Sequence, residues 1–216
     1  MQISINAISL IFRSCLCVFA VVFTPGSFAS SLVVQGVSSG QRFPVTLLRK
    51  VLENGGEYSI DYLDDKRGKA TSEAKLHNDL DGGLVDIMWT LTSKQHEDNF
   101  QAIYIPIYRG LLGYRIAIVA QNKAQMFADV TSLEQLKRYK AGQGLLWADS
   151  QILEDNQLPV VKELKYPNLF PMLDGGRFDY FPRGSPEPWA EVARESKYNL
   201  IVDSHLLIKY TAPFYF

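Results

Sequence analysis

Residues equipped for chemistry gather in three stretches of this chain. In Leu169 to Glu187 (LFPMLDGGRFDYFPRGSPE), a short apolar helix, a Gly175-Gly176 stop and a strand lead to Arg183, held between Pro182 and Gly184. Strand, turn and helix entry in that order put Arg183 and Glu187 at the carboxyl end of a strand. Crevices for ligands open at that edge of α/β sheets. A guanidinium on a short stiff turn suits a carboxylate or phosphate clamp. The competing reading is an ion pair with Glu187 four residues on, with Glu187 either supporting the arginine or touching ligand itself.

The second stretch, Gly142 to Asp149 (GQGLLWAD), ends a strand and opens a helix. Asp149 either caps that helix, with backbone N–H groups aimed at a cleft, or meets ligand directly. Trp147 supplies a stacking wall or core packing. The glycines are not a phosphate loop, because no Gly-Lys-Ser/Thr follows them. The third stretch ends the apolar run Leu84 to Thr90 (LVDIMWT). Trp89, Thr90, Thr92 and Gln95 there offer an indole, hydroxyls and an amide, and core packing competes for Trp89. Beyond it, Arg109 and Arg115 bracket an apolar stretch, each as a carboxylate clamp or a hinge ion pair.

Catalytic patterns are thin. His77, His96 and His205 are scattered, with neither H-E-x-x-H nor paired spacing for zinc. His96-Glu97-Asp98 reads as a solvated loop, and no G-x-S-x-G elbow occurs. The sequence is therefore read as a binding protein and not an enzyme, with no metal and no cofactor. Basic and acidic residues nearly balance, 22 against 23, and no basic stripe points to nucleic acid.

Met1 to Ala29 holds one charged residue, Arg13, then the apolar run Leu16 to Phe23 and a small-x-Ala end at Ser27-Phe28-Ala29. That is the pattern of a cleavable secretory signal peptide, too short in its apolar part for the roughly 20 residues a membrane span needs. Both cysteines, Cys15 and Cys17, lie inside it. The remaining chain then has neither thiol nor disulfide and is expected in the periplasm.

The elements that must position these residues alternate. Strands are expected at Leu32–Val37, Tyr58–Leu63, Leu84–Thr90, Leu145–Ala148, Val160–Leu164 and Phe178–Phe181, with returning strands at Leu200–Val202 and Leu206–Tyr210. Between them fall a helix from Ser38-Ser39-Gly40 through Phe43 to the stop Asn54-Gly55-Gly56, and a second from Lys69 to Leu80. A capping box at Thr131–Glu134 opens a further helix. Helices also follow from Ser150, near Asn168–Leu173 with Pro171 at its start or at a break, and at Pro188–Ser196. Ile103 to Ala120, broken by Pro106, Gly110 and Gly113, reads as an extended crossing strand. Parallel sheets with helices on both faces follow.

The segment Leu169 to Glu187 resembles the LF.ML..GR.D signature of type II periplasmic solute-binding proteins, the family 3 group that includes many amino-acid binders. LVDIMWTLT (Leu84–Thr92), IPIY (Ile105–Tyr108), the Leu133–Leu136 dipeptides and the terminal APFYF (Ala212–Phe216) follow in the same order as in that family. The resemblance implies an α/β, two-lobed periplasmic-binding-protein-like fold with two hinge crossings. Lobe one would cover residues 30–113 and lobe two residues 114–205, with residues 206–216 as the return strand. The first lobe would be finished differently, or left incomplete, after Phe216.

The resemblance implies a small-molecule ligand held by hinge closure. Trp89, Thr90, Thr92, Gln95 and Arg109 would contact it from one side, and Trp147, Asp149, Arg183 and Glu187 from the other. Two departures change the ligand. Amino-acid binders of that family carry Thr-x-x-Arg where this chain has Thr92-Ser93-Lys94-Gln95. They also carry an aspartate near the position of Pro182-Arg183-Gly184. A polar neutral or anionic solute is expected in place of an α-amino acid. The partner would be the membrane permease of an ABC transporter, for uptake, or a membrane sensor. A dehydratase-like enzyme, with Glu187 or Asp149 as proton donor, is the remaining alternative.

Overall fold

The computed structural model describes residues 30–36, 38, 43–55, 58–69 and 71–216. The targeting segment through Ala29 with Arg13, Cys15 and Cys17, the strand end at Val37, the helix start at Ser39-Gly40 and the stop residue Gly56 fall outside the described residues.

In chain order the elements are β1 (Ser30–Val34), α1 (Phe43–Gly55), β2 (Tyr58–Tyr62), α2 (Leu63–Arg67), α3 (Glu73–Asp81), β3 (Thr90–Leu91), α4 (Lys94–Asn99) and β4 (Tyr114–Ala120). There follow α5 (Leu133–Leu136), β5 (Ala141–Gly144), α6 (Ala148–Asp155), β6 (Val160–Glu163), α7 (Tyr166–Asp174), β7 (Phe181–Gly184), α8 (Pro188–Arg194), β8 (Leu200–Lys209) and β9 (Phe214–Tyr215).

They assemble as two halves. In the first, β1 and β2 pair in parallel, Ile87 bridges to Val34, and β3 pairs antiparallel with β9. Val45 and Leu48 lie one helical turn apart on α1, so both face a core of Val34, Tyr62, Trp89 and Ile107. In the second half β4 is the middle strand of an antiparallel sheet ordered β7-β4-β8, and β5 pairs in parallel with β6. Alternation along β4 sends Ala117 and Val119 into a core with Phe127, Leu153 and Tyr180. Ile118 goes the other way, into a core with Leu169, Phe170 and Phe181. Both faces of this strand are thus buried.

The observed elements depart from the expected ones at identifiable places. LVDIMWT is largely irregular: Asp86 and Ile87 donate their N–H groups to the Val33 carbonyl at 2.8 and 3.3 Å, and the β3 ladder starts at Thr90. The crossing is kinked and not extended. Arg109 and Gly110 take φ of 51° and 86°, and Leu111–Gly113 form a 3-10 turn before β4 begins.

The strand expected at Leu145–Ala148 forms at Ala141–Gly144 instead, where bare backbone is covered by aromatic rings. A Cβ on Gly142 would stand 2.2 Å from Phe178, and one on Gly144 2.5 Å from Trp147. β7 begins at Phe181 and not at Phe178, with Tyr180 joined to Ala141 only by an isolated bridge. Leu200 to Lys209 is one strand where two were expected. The capping box is Ser132 with Gln135, one residue later than expected, and Pro171 sits inside α7 without ending it. Parallel pairing holds for β1–β2 and β5–β6, whereas β4 is antiparallel to both its neighbours.

Candidate functional site

The carboxyl end of β7 delivers Arg183 into a closed box. Its Nε and Nη2 donate to the two carboxylate oxygens of Glu191 at 2.7 and 2.8 Å, the parallel fork that matches guanidinium to carboxylate. Glu187, the residue before α8, lies 3.1 Å from Nη2 and accepts the Gly184 N–H at 2.8 Å. The guanidinium carbon sits 4.9 Å from the Trp147 ring and 5.5 Å from the Tyr166 ring. Tyr166 donates its hydroxyl hydrogen to Glu191 at 2.6 Å and accepts from Arg194 at 2.7 Å.

Burial pushes the Glu191 carboxyl up, but the charge of Arg183 and hydrogen bonds from Arg183 and Tyr166 outweigh it and hold the group below its usual range. Burial likewise opposes the charge on Arg183, and Glu187 and Glu191 reverse that, so the arginine is held cationic. Arg183, expected as an open clamp, is in fact 8% exposed and taken up by two carboxylates of its own chain. Glu187 is correspondingly an internal partner of Arg183 and Gly184. Trp147, half-buried, stacks on Phe181 at 6.2 Å with planes 16° apart and walls this box.

Asp149 forms a second buried group. The capping position of α6 belongs to Trp147, so the expected cap by Asp149 is corrected. Asp149 lies in the first turn, and its Oδ1 receives Arg115 Nη2 at 2.8 Å together with the Tyr210 hydroxyl. Both charged side chains are nearly sealed, at 4% and 7% exposure. Burial, then the charge on Asp149, pushes the Tyr210 hydroxyl above its usual range. Neither Glu191 nor Tyr210 stood among the expected site residues. The spacing of Glu187 and Glu191, one helical turn, was the available signal for the first.

The first half places its residues apart from these. Trp89, 7% exposed, packs with Val34, Val45 and Leu48 and meets Phe216 edge-on, the packing that competed with ligand contact. Thr90 and Thr92 line a groove of about 360 Å³ with His96, Phe100, Tyr215 and Phe216, and all of its lining belongs to the first half. Thr92 donates its hydroxyl to Glu97 and its N–H to the Pro213 carbonyl. Gln95 is exposed on α4, and Arg109 is exposed on the kink of the crossing. The scattered His77 and His96 come together as an edge-on ring pair at 4.9 Å, and burial followed by His96 lowers the His77 proton affinity.

The fold as a whole has counterparts among solved structures. An ancestral arginine-binding protein bound to glutamine superimposes with a TM-score of 0.62 at 15% identity, over 86% of this chain and 83% of that one. A histidine kinase sensor domain with similarity to periplasmic binding proteins gives 0.61 at 15% identity, over 86% and 81%. The periplasmic VFT2 domain of BvgS from Bordetella pertussis gives 0.62 at 13% identity, over 86% and 78%. The fold is the type II periplasmic-binding-protein fold.

No family model and no curated protein sequence matches the chain. At these identities the type II fold is what the likeness establishes. Within it the halves are its two lobes. The Arg183 box closes the second lobe, and the Arg115–Asp149–Tyr210 group sits where both crossings enter that lobe.

Proposed function

We propose that this chain is a periplasmic binding module whose two lobes close on a small polar solute. The double crossing carries the reading. Gly113 enters β4 beside Tyr210 leaving β8, and the Tyr210 N–H donates to the Gly113 carbonyl at 3.0 Å. A narrow two-strand connection of this kind permits rigid-body closure around a ligand held between lobes. The division would fall near Gly113–Tyr114 and again within Leu206–Phe216, and export would use the signal peptide that ends at Ala29.

Arg183 and Arg115 are each matched by carboxylates of the chain, which favours a neutral polar solute over an anion. Thr90, Thr92, Gln95 and Arg109 remain the proposed contacts of the first lobe. Asp149 and Glu187 each lie on an arginine, which argues against either as the proton donor of a dehydratase. Sensing through a membrane partner is the second reading, favoured by the likeness to a histidine kinase sensor domain. Uptake through a permease is the alternative.

A thermal-shift screen of neutral polar solutes, carboxylates, phosphates, amino acids and polyamines tests the reading. A solute held at about 100 times its dissociation constant adds about 2.7 kcal/mol, a shift of roughly 5–10 °C at this size. The expected result is such a shift with a neutral polar solute. A cooperative melt that no solute moves overturns solute binding and leaves a protein-interaction module.

A further inference from the structure

Three residues far apart in the chain meet at the base of the second lobe. Arg115 is the second residue of β4, directly after the first crossing. Tyr210 follows the last residue of β8 and opens the second crossing, and Asp149 lies in the first turn of α6. One carboxylate oxygen of Asp149 receives both Arg115 and Tyr210, while the guanidinium carbon of Arg115 stands 5.3 Å from the Tyr210 ring. Asp149 thus binds each crossing to the same helix.

We infer that Arg115, Asp149 and Tyr210 form a latch that clamps both crossings to the second lobe and confines hinge bending to residues 109–110 and 211–212. The inference rests on the hinge-closing reading above. On the second-lobe side the crossings are fixed three times over. β4 and β8 pair through Tyr114↔Lys209 and Arg115↔Ile208, the ion pair is sealed from water, and a Cβ on Gly113 would stand 2.5 Å from the Tyr210 carbonyl oxygen. Separating a buried ion pair leaves a charge without compensation, so motion that pulls α6 off the crossings is strongly opposed.

On the first-lobe side the Pro213 carbonyl takes the Thr92 N–H at 2.9 Å, which leaves two short stretches between the anchors. Arg109 and Gly110 are both left-handed, and residues 211–213 belong to no helix or strand. An apolar collar of Leu91 from the first lobe, Leu112 and Ala212 from the crossings and Ala148 from α6 surrounds this point. Non-directional contacts of that kind can slide where the directional latch cannot. The pivot therefore lies between collar and latch, and the latch sets the angle at which α6 and the Trp147 turn face the first lobe.

Amide hydrogen exchange on the purified chain, without any solute, tests this. In the wild type, exchange should be fast at Gly110 and Thr211 and slow at Tyr114–Ile116 and Leu207–Tyr210. Tyr210→Phe keeps the ring under Arg115 and removes one hydrogen bond, and Asp149→Asn removes the charge. Each should quicken exchange at Tyr114–Ile116 and Leu207–Tyr210 by about tenfold while Leu169–Leu173 in the lobe core stays protected. Unchanged exchange at those amides overturns the latch. So does equal acceleration throughout the lobe, which would make the trio a stabiliser without a role at the hinge. Should Asp149→Asn fail to fold, Tyr210→Phe carries the same test. The exchange pattern is independent of the solute screen, so a latch without a solute, or a solute without a latch, would each be recognised.

Discussion

Glu191 reaches back from α8 to take both nitrogens of the Arg183 fork, at 2.7 and 2.8 Å, inside an aromatic box. Both side chains are under a tenth exposed. Truncating one partner leaves the other charged and buried, so Glu191→Ala should cost about 3–5 kcal/mol. Glu187→Ala removes a carboxylate that is one-third exposed and should cost only about 1 kcal/mol. Urea midpoints of the two variants give the comparison, and equal losses would contradict the box as described.

The same carboxylate makes stability depend on pH. Glu191 is held below its ordinary value of 4.5, because Arg183 and Tyr166 outweigh the upward push of burial. A depressed folded-state value means that the unfolded chain takes up the proton first as pH falls. The stabilisation is therefore complete above the ordinary value and drains as pH drops through the lower, folded one. The stability gap between wild type and Glu191→Gln should narrow steadily as pH falls below the ordinary value of 4.5. A gap that stays constant as the pH falls would mean that Glu191 does not titrate with folding.

Backbone covered by rings leaves no room for a methyl group. Gly142→Ala would place a Cβ 2.2 Å from the fully buried Phe178 ring and should cost roughly 1–3 kcal/mol. At Gly55, the last residue of α1, nothing lies within 4 Å, and Gly55→Ala should be neutral or gain up to about 1 kcal/mol. Thermal melts of the two alanine variants should move in opposite directions or differ by several degrees.

Trp89 belongs to packing. Trp89→Ala should cost about 3–5 kcal/mol through the cavity it leaves among Val34, Val45 and Leu48. Any solute found in the screen should still bind to the fraction that remains folded. A Trp89→Ala chain that keeps its melting temperature but loses solute binding would return the indole to the ligand site.

Local signals carried much of this fold. The turn-spaced apolar face of α1, the alternation in β2 and the proline that opens α8 are each written in a few neighbouring residues. Leu145 and Leu146 drew a strand that forms over Ala141–Gly144, because glycine strands are held by backbone pairing and carry no hydrophobic pattern. The site was less legible. Arg183 was recognisable as a residue with a fixed guanidinium, yet whether that fork is free or spent depends on which face of α8 folds onto it. Arg115, Asp149 and Tyr210 are brought together by topology alone, across separations that no periodicity reaches.

The strand order also governs when the molecule can become itself. β3 finds its partner in β9 and β4 finds its partner in β8, so each lobe waits for a segment far along the chain. Such distant pairings must close long loops before they return any contact energy, which slows folding and keeps the emerging chain open.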